Sequence, residues 1–349
     1  MHLRHRLLSV LASAVAIAQI ATTSLAQGAE PLWAHTPDTI SPEWSAVFSE
    51  LGQGRDTKVP APNDLPAWKT LQDADSAAKV EHAAPFVEAF NGTLRDITLG
   101  GVPVVEVTPG ELARNDKIAV YLHGGAYTFN SARGAIVSAI LLADETNLRV
   151  MAVDYTLAPH AKWQEITDQV LSVFVALAEQ GLTASDIVLY GDSAGGGLSA
   201  GSVLKMRDQG MEMPAALILW SPWADVSQTG DSYVTLRDAE PFYTYRDILG
   251  PSALAYADAK DHQHPYVSPV YGDYTKGFPP TLIQGGTKEL FLSNVVRLYQ
   301  ALDQAGQTVK LDLYEGMPHV FMAILPESPE SRAAVGKAGD WVSRHLVRH

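Results

Sequence analysis

Cysteine is absent from this sequence of 349 residues, and basic residues are scarce. Without cysteine, the chain forms no disulfide bond and offers no thiolate as a nucleophile or metal ligand. Its 25 lysines and arginines face 39 aspartates and glutamates, which gives a formal net charge of −14. An acidic surface of this kind repels the phosphates of nucleic acids and of anionic membranes. We therefore expect no nucleic acid partner.

The N-terminus joins a short basic head, MHLRHR, to the apolar run LLSVLASAVAIAQIA. This run is short for a membrane span and rich in small residues. Ser24 and Ala26 then supply the small residues of a cleavage site. The pattern predicts a secretory signal peptide over residues 1–26, cleaved near Ala26. The mature protein would be periplasmic or secreted, without stable membrane insertion. An uncleaved membrane anchor is the alternative.

The pattern of the chain changes near residue 95. Residues 27–94 contain two amphipathic helical patterns, SPEWSAVFSELG and AAKVEHAAPFVEAFNG, joined by the loop KVPAPNDLPAW. Beyond them, short apolar runs alternate with helical periodicity, which predicts a mostly parallel sheet covered by helices on both faces. The predicted strands lie at 95–99, 102–108, 117–123, 149–155, 186–190, 215–220, 280–286 and 309–315, and the helices at 133–145, 164–180, 195–208, 292–305 and 330–346.

A stretch rich in aromatic residues interrupts this alternation at 226–264. It follows the C-terminal end of a predicted strand, where α/β folds bind ligands. We therefore divide the mature chain into three parts. These are an N-terminal helical segment at 27–94, a core domain made of 95–225 and 265–349, and an insertion at 226–264.

The predicted strand DIVLY runs directly into GDSAGG, and Ser193 stands at the centre of this motif. Gly191 and Gly195 complete the pattern G-x-S-x-G, in which a tight turn between strand and helix lifts the serine hydroxyl above the sheet. The required context, a strand before and a helix after, is present. We predict Ser193 as a nucleophile rather than as part of a plain glycine-rich helix start.

A serine hydroxyl needs a base to take its proton and an acid to orient that base. In a fold of this kind the chain order is serine, acid, histidine. His319 lies in LYEGMPHVF, just beyond the last predicted strand, and we predict it as the base. The pair His262 and His264 in DHQH is weak evidence for zinc, and we interpret it as part of a polar loop.

The stretch VYLHGGAYTFNS ends a strand on His-Gly-Gly. Attack on an ester carbonyl creates an oxyanion, which needs backbone N–H donors that are already in place. Glycine has no side chain to block their approach. We predict an oxyanion hole formed by the amides of Gly124, Gly125 and Ala194, with His123 orienting the loop.

Five motifs occur in order over residues 121–321: HGGAY, DYTLAP, GDSAGG, SPWAD and MPHVF. Together they resemble the hormone-sensitive lipase family of α/β hydrolases, in its bacterial carboxylesterase type. The resemblance implies an α/β-hydrolase core of eight strands and a helical cap formed partly by the N-terminal helical segment at 27–94. It also implies hydrolysis of short acyl esters without cofactor or metal. Ala126 replaces the family's third glycine, and His160 replaces its usual glutamate after the proline.

The same resemblance guides the choice of the acid. The family typically has an aspartate two residues before a leucine in the loop after the seventh strand, where this sequence reads QGGTKELFLSN. Alignment through the following helix puts Glu289 at that position. Asp312, on the last strand, and Glu315, close to His319, are the rival candidates. We predict a catalytic triad of Ser193, Glu289 and His319.

Four further residues are predicted to bind the substrate: Tyr127, Asp192, Phe242 and Tyr243. Asp192 also resembles a structural acid of the family that ties the loops. We expect a small-molecule ester with a short to medium acyl chain. A lactonase or amidase with the same triad, and a non-catalytic protein that binds ligands, are the alternatives.

The signal-peptide pattern predicts that the exported protein begins at Gln27. N-terminal sequencing of protein recovered from the periplasm or the medium measures this directly. A chain that retains Met1 in a membrane fraction would instead indicate an anchor.

Overall fold

One sheet of eight strands organises the fold in this computed structural model, which describes residues 32, 35–51, 58–112 and 116–346. The strand order is β1-β2-β4-β3-β5-β6-β7-β8. β1 and β2 are antiparallel to each other, β2 is antiparallel to β4, and the remaining neighbours are parallel. The strands are β1 (Gly92–Leu99), β2 (Val102–Pro109), β3 (Ile118–Leu122), β4 (Arg149–Val153), β5 (Ile187–Asp192), β6 (Ala216–Trp220), β7 (Thr281–Gly286) and β8 (Val309–Tyr314).

Ten α-helices accompany these strands in the described ranges. All eight strands and the five helices of the core were predicted from the sequence, and their positions are confirmed to within a few residues. The helices are α1 (Pro42–Glu50), α2 (Leu65–Ala89), α3 (Ile136–Thr146), α4 (Trp163–Glu179), α5 (Ala194–Asp208), α6 (Ser232–Thr235), α7 (Gly250–Tyr256), α8 (Leu292–Gln304), α9 (Phe321–Ile324) and α10 (Pro329–His345).

Helix α2 begins earlier than the sequence analysis predicted. The predicted loop KVPAPNDLPAW extends to Trp68, whereas the helix starts at Leu65. The Asp64 side chain accepts a hydrogen bond from the Ala67 N–H, which caps the helix, and Pro66 occupies the first turn, where no N–H is needed. The prolines that suggested a loop therefore mark a helix N-terminus.

The core lies on both faces of the sheet, because the side chains of a strand alternate in direction. Along β3, Ile118, Val120 and Leu122 point into the cluster that includes α4, α5 and α8. Ala119 and Tyr121 point into the opposite cluster, which includes α3 and α10. Strands buried on both faces explain why the sequence showed continuous apolar runs.

An N-terminal segment, defined here as residues 35–51, packs against the C-terminal part of the chain. The Ser41 N–H donates to Glu330 Oε1 at 2.7 Å, and Trp44 Nε1 donates to Ser328 Oγ at 3.0 Å. Lys288 donates to the His35 carbonyl and lies over the Phe48 ring. Thr39 donates to Glu315.

The predicted signal peptide, residues 1–26, and its cleavage site lie outside the described residues. Within the part of the chain that the structure describes, no helix combines the length and apolar character that crossing a membrane requires.

Gly336 gives a direct test of the packing of α10. A Cβ atom at this position would have its nearest neighbour 4.0 Å away, at Glu145 Oε1. Alanine in an exposed helix interior is more favourable than glycine by about 0.8–1 kcal/mol. We expect Gly336→Ala to raise the free energy of unfolding by up to about that amount, as measured by urea denaturation.

Gly339, one turn further along α10, is the comparison. There a Cβ atom would lie 2.6 Å from Glu145 Cγ, so the glutamate side chain must move and the gain should be smaller or lost. Equal effects of the two substitutions would contradict this account of the helix.

Candidate active site

Ser193 stands at the turn between β5 and α5. Its backbone has φ 54° and ψ −123°, a left-handed φ that is uncommon for a residue with a side chain. The Ser193 N–H donates to the Trp220 carbonyl, and the Ser193 carbonyl accepts from the Trp223 N–H, both at 2.8 Å. The end of β6 and the loop after it therefore hold the turn on both sides.

The two glycines of G-x-S-x-G are required by close approach of the backbone. A Cβ atom at Gly195 would lie 1.9 Å from the Leu122 carbonyl oxygen. A Cβ atom at Gly191 would lie 2.4 Å from the Gly195 carbonyl oxygen. Any side chain at either position would force the turn apart, so the strand, the turn and the helix can meet only through these glycines.

His319 and Glu289 are brought together from two different loops. His319 follows β8 and Glu289 follows β7, and the His319 Nδ1–H donates to Glu289 Oε2 at 2.7 Å. Both residues are buried. Burial lowers the pKa of His319, so its imidazole is neutral at neutral pH. Burial also raises the pKa of Glu289, and hydrogen bonds from the Gly286 N–H and the Ser221 hydroxyl oppose that shift.

The other two acids considered from the sequence lie elsewhere. Asp312 accepts hydrogen bonds from Gln284 and Lys337. Glu315 accepts from Thr39 of the N-terminal segment. Among the three candidate acids, only Glu289 is hydrogen bonded to His319 in the described ranges.

The Ser193 hydroxyl and the His319 ring face the same cavity. No hydrogen bond joins these two side chains among the described residues. Hydrogen bonds of this kind are often long in ligand-free enzymes and tighten when the substrate binds. Of the three predicted residues, His319 and Glu289 are therefore hydrogen bonded to each other, and Ser193 faces the same cavity as His319 without a bond to it.

The glycine loop differs in one respect from the sequence prediction. The Gly124 N–H donates to Asp192 Oδ1 at 3.2 Å, so this amide already has a partner. The N–H groups of Gly125, Ala126 and Ala194 have no hydrogen-bond partner within the described ranges. Gly125 and Ala126 both have positive φ values, of 114° and 54°. The predicted set of N–H groups did not include Ala126, which stands where the family has its third glycine.

Asp192 ties this loop to the nucleophile turn. Its carboxylate accepts hydrogen bonds from the Tyr121 hydroxyl and from the Gly124 N–H. Burial raises the pKa of Asp192 to about 6, and these two hydrogen bonds oppose the shift. The Asp192 side chain lies at the wall of the cavity, and its oxygen Oδ1 accepts both of these hydrogen bonds.

The cavity has a volume of about 350 Å³. One wall is apolar and comes mainly from the insertion, and another carries the ion pair of Asp75 and Lys79 on α2, whose charged atoms are 3.0 Å apart. The apolar wall consists of Phe242, Tyr243, Ile248, Leu249, Val320 and Ile324.

Three of the four predicted substrate residues, Asp192, Phe242 and Tyr243, line this cavity, whereas Tyr127 does not. Tyr127 is fully buried and stacks on Tyr256, with ring centroids 3.6 Å apart. The turn after the glycine loop directs the Tyr127 side chain into the core.

Aromatic rings enclose the predicted base. Tyr243 and Phe291 each lie edge-to-face with the His319 ring, at centroid distances of 5.1 Å and 5.0 Å. Phe291 was not singled out in the sequence, because a phenylalanine two residues after the predicted acid has no chemical signature of its own. In the part of the chain that is described, no cluster of three or more histidines and carboxylates is arranged to hold a metal ion.

Comparisons with known proteins identify the family of the fold. Residues 119–323 match a family model described as the α/β hydrolase fold. An acetyl-hydrolase from Streptomyces hygroscopicus is 34% identical over 244 residues, which cover 70% of this chain and 80% of that protein.

Solved structures extend the match. The crystal structure of an esterase named E25 has a TM-score of 0.82 and 30% identity, and covers 93% of this chain and 99% of its own. The structure of an esterase from the bacterial hormone-sensitive lipase family has a TM-score of 0.73 and 28% identity, covering 79% and 92%.

This chain therefore belongs to the α/β hydrolase fold family, and the predicted resemblance to its hormone-sensitive lipase members is confirmed. Within that family it is a carboxylic ester hydrolase.

Proposed function

We propose that this protein is a serine carboxylesterase that hydrolyses short to medium acyl esters through an acyl-enzyme on Ser193. One observation carries the proposal: the buried hydrogen bond between His319 and Glu289 beside a cavity that Ser193 also faces. A histidine held by a buried carboxylate next to a serine at a strand-to-helix turn is the arrangement that acyl transfer requires.

In the first half of the reaction, the neutral His319 takes the hydroxyl proton of Ser193 as the serine oxygen attacks the ester carbonyl. The new bond makes a tetrahedral intermediate with a negatively charged oxygen. When this intermediate collapses, the bond to the alcohol oxygen breaks, and the imidazolium returns its proton to the departing alcohol. Glu289 holds the imidazole in the correct tautomer and stabilises its charged form.

In the second half, a water molecule takes the place of the alcohol. His319 removes a proton from this water, and the resulting hydroxide attacks the acyl carbonyl. Collapse of the second intermediate releases the carboxylic acid and returns the proton to Ser193. Every proton moves between substrate, water, serine and imidazole, so the cycle uses no cofactor or metal ion.

We assign the oxyanion hole to the N–H groups of Gly125, Ala126 and Ala194. All three residues flank Ser193 or lie in the loop that faces it, and their amides have no other partner in the described ranges. Gly124, predicted as a donor from the sequence, is engaged with Asp192 and is replaced by Ala126 in this assignment. The Gly124 N–H instead holds the glycine loop against Asp192.

The substrate is inferred from the size and walls of the cavity. We assign the N-terminal helical segment and the insertion at 226–264 as a cap, since residues of α2 and of the insertion line the cavity. A volume of about 350 Å³ lies at the lower end of the range for small-molecule sites. Phe242 and Tyr243 are proposed to contact the acyl or alcohol group. Export through the signal peptide at 1–26 would place the enzyme in the periplasm or the medium.

The proposal is tested with p-nitrophenyl esters of increasing acyl length, together with lactone and anilide analogues. We expect acetate and butyrate to be cleaved faster than long-chain esters and emulsified triglycerides, because the cavity is small. A serine-directed organophosphate should abolish the activity by modifying Ser193. Faster turnover of lactones or anilides would identify a lactonase or an amidase, and no turnover of any analogue would identify a binding protein.

Replacement of the proposed acid separates Glu289 from its rivals. Glu289→Gln keeps the shape but removes the charge that stabilises the imidazolium, so kcat should fall by a factor on the order of 10³–10⁴. Asp312→Asn and Glu315→Gln should leave kcat near the wild-type value, and Ser193→Ala should lose nearly all activity. The kinetics of all four variants are measured on p-nitrophenyl butyrate. If Glu289→Gln keeps full turnover and Glu315→Gln loses it, Glu315 and not Glu289 is the catalytic acid.

A further inference from the structure

Ser221 lies directly after β6, and its side chain is completely buried between the two loops of the acid and the base. Its hydroxyl donates to Glu289 Oε1 at 3.1 Å. The same hydroxyl oxygen accepts the N–H of Val320 at 3.0 Å, and Val320 is the residue after His319. One hydroxyl group therefore contacts both loops, which come from positions 68 and 99 residues further along the chain.

We propose that Ser221 is a positioning residue for ester hydrolysis: its hydroxyl joins the loop of Glu289 to the loop of His319 and fixes the carboxylate against the imidazole. This inference rests on the proposed roles of Glu289 and His319. Ser221 touches neither substrate nor reacting atoms and acts only through these two residues.

The distribution of hydrogen bonds over the carboxylate supports this role. Glu289 Oε1 accepts from the Gly286 N–H at 2.8 Å and from the Ser221 hydroxyl, whereas Oε2 accepts from His319. With two donors on one oxygen, rotation of the carboxylate away from His319 would break both bonds. The Gly286 N–H lies on the acid's own side of the site, at the end of β7. The Ser221 hydroxyl therefore adds a second link between the carboxylate and the loop of the base, beside the direct bond from His319.

The backbone of Ser221 is also unusual. Its φ of 46° is left-handed, which is rare for a residue with a side chain. Its N–H donates to the Gln284 carbonyl at 2.6 Å, which fixes the main chain at the end of β6. Strained residues persist where the surrounding structure determines them and concentrate at functional sites. Here the strained conformation turns the hydroxyl toward Glu289.

The size of the effect follows from the charge of the acceptor. A hydrogen bond to a charged group contributes about 1.5–3 kcal/mol, which corresponds to about a 10- to 100-fold change in rate if it acts on the transition state. Loss of the hydroxyl should therefore reduce kcat by about 10- to 100-fold and change KM by no more than about twofold.

Two variants isolate the hydroxyl from the backbone. Ser221→Ala removes the hydroxyl and keeps the Cβ atom, whereas Ser221→Gly also relieves the left-handed strain. Both should show the same loss of kcat on p-nitrophenyl butyrate and the same slower labelling of Ser193 by a fluorophosphonate. Ser268→Ala is the matched control, since Ser268 is fully buried and accepts the Val226 N–H at 3.0 Å without contacting Glu289 or His319. It should keep wild-type kcat.

A double-mutant cycle with Glu289→Gln distinguishes this proposal from the proposed function. If Ser221 acts through Glu289, Ser221→Gly should add little further loss once Glu289 is replaced. Two outcomes would overturn the role of Ser221 and leave the assignment of Glu289 intact. One is that the losses of the two single variants multiply in the double variant. The other is that Ser221→Gly keeps the wild-type kcat while Glu289→Gln is impaired. Wild-type activity of Glu289→Gln would instead overturn the assignment of the acid. A folded Ser221→Gly whose loss lies in KM rather than kcat would also contradict positioning.

Discussion

The left-handed backbone of Ser193 is the constraint on which the rest of the site depends. A residue with a side chain in so sparsely populated a backbone conformation costs on the order of 1–3 kcal/mol. The turn persists because β5 is central, with β3 on one side and β6 on the other, and because Gly191 and Gly195 permit the close approach of β3 and α5. The hydrogen bonds to Trp220 and Trp223 complete the support. The hydroxyl thus lies at the end of a central strand of the sheet, while most residues that line the cavity come from the surrounding loops and helices.

Around this turn, buried carboxylates accept hydrogen bonds from several groups. Glu289 has hydrogen-bond donors on both oxygens, and Asp225 is held by Arg297 and Tyr271. A buried carboxylate without donors would be protonated or would destabilise the fold. Each acid therefore holds a loop at the C-terminal edge of the sheet, and the hydrogen bonds that stabilise the fold also set the positions of Glu289 and His319.

The sequence predicted the sheet well, because apolar runs and glycines act locally. Ser193, His319 and the two glycines of the nucleophile turn could be located from short motifs, and Glu289 from its place in a known order. The start of α2 was missed because its prolines fit a loop as well as a first turn. The unpartnered N–H of Ala126 within the described ranges and the burial of Tyr127 were not predicted, because backbone direction within a tight turn has no sequence pattern. Ser221 was not singled out, since its role exists only when loops 68 and 99 residues away meet.

The docking of the N-terminal segment has a consequence for the order of assembly. Its hydrogen bonds reach Glu315 and Glu330, across 276 and 289 residues of chain. A ribosome delivers this segment first, and the residues of the C-terminal part that it contacts come after β7 in the chain, with Glu315 and Glu330 also after β8. The N-terminal segment therefore cannot form these contacts until the C-terminal part of the chain has been synthesised. The entropic cost of closing so long a loop is modest, because it grows only with the logarithm of the loop length. The contacts that close it nevertheless form late in folding. Lys288, the residue before Glu289, acquires its contacts with His35 and Phe48 in that last step.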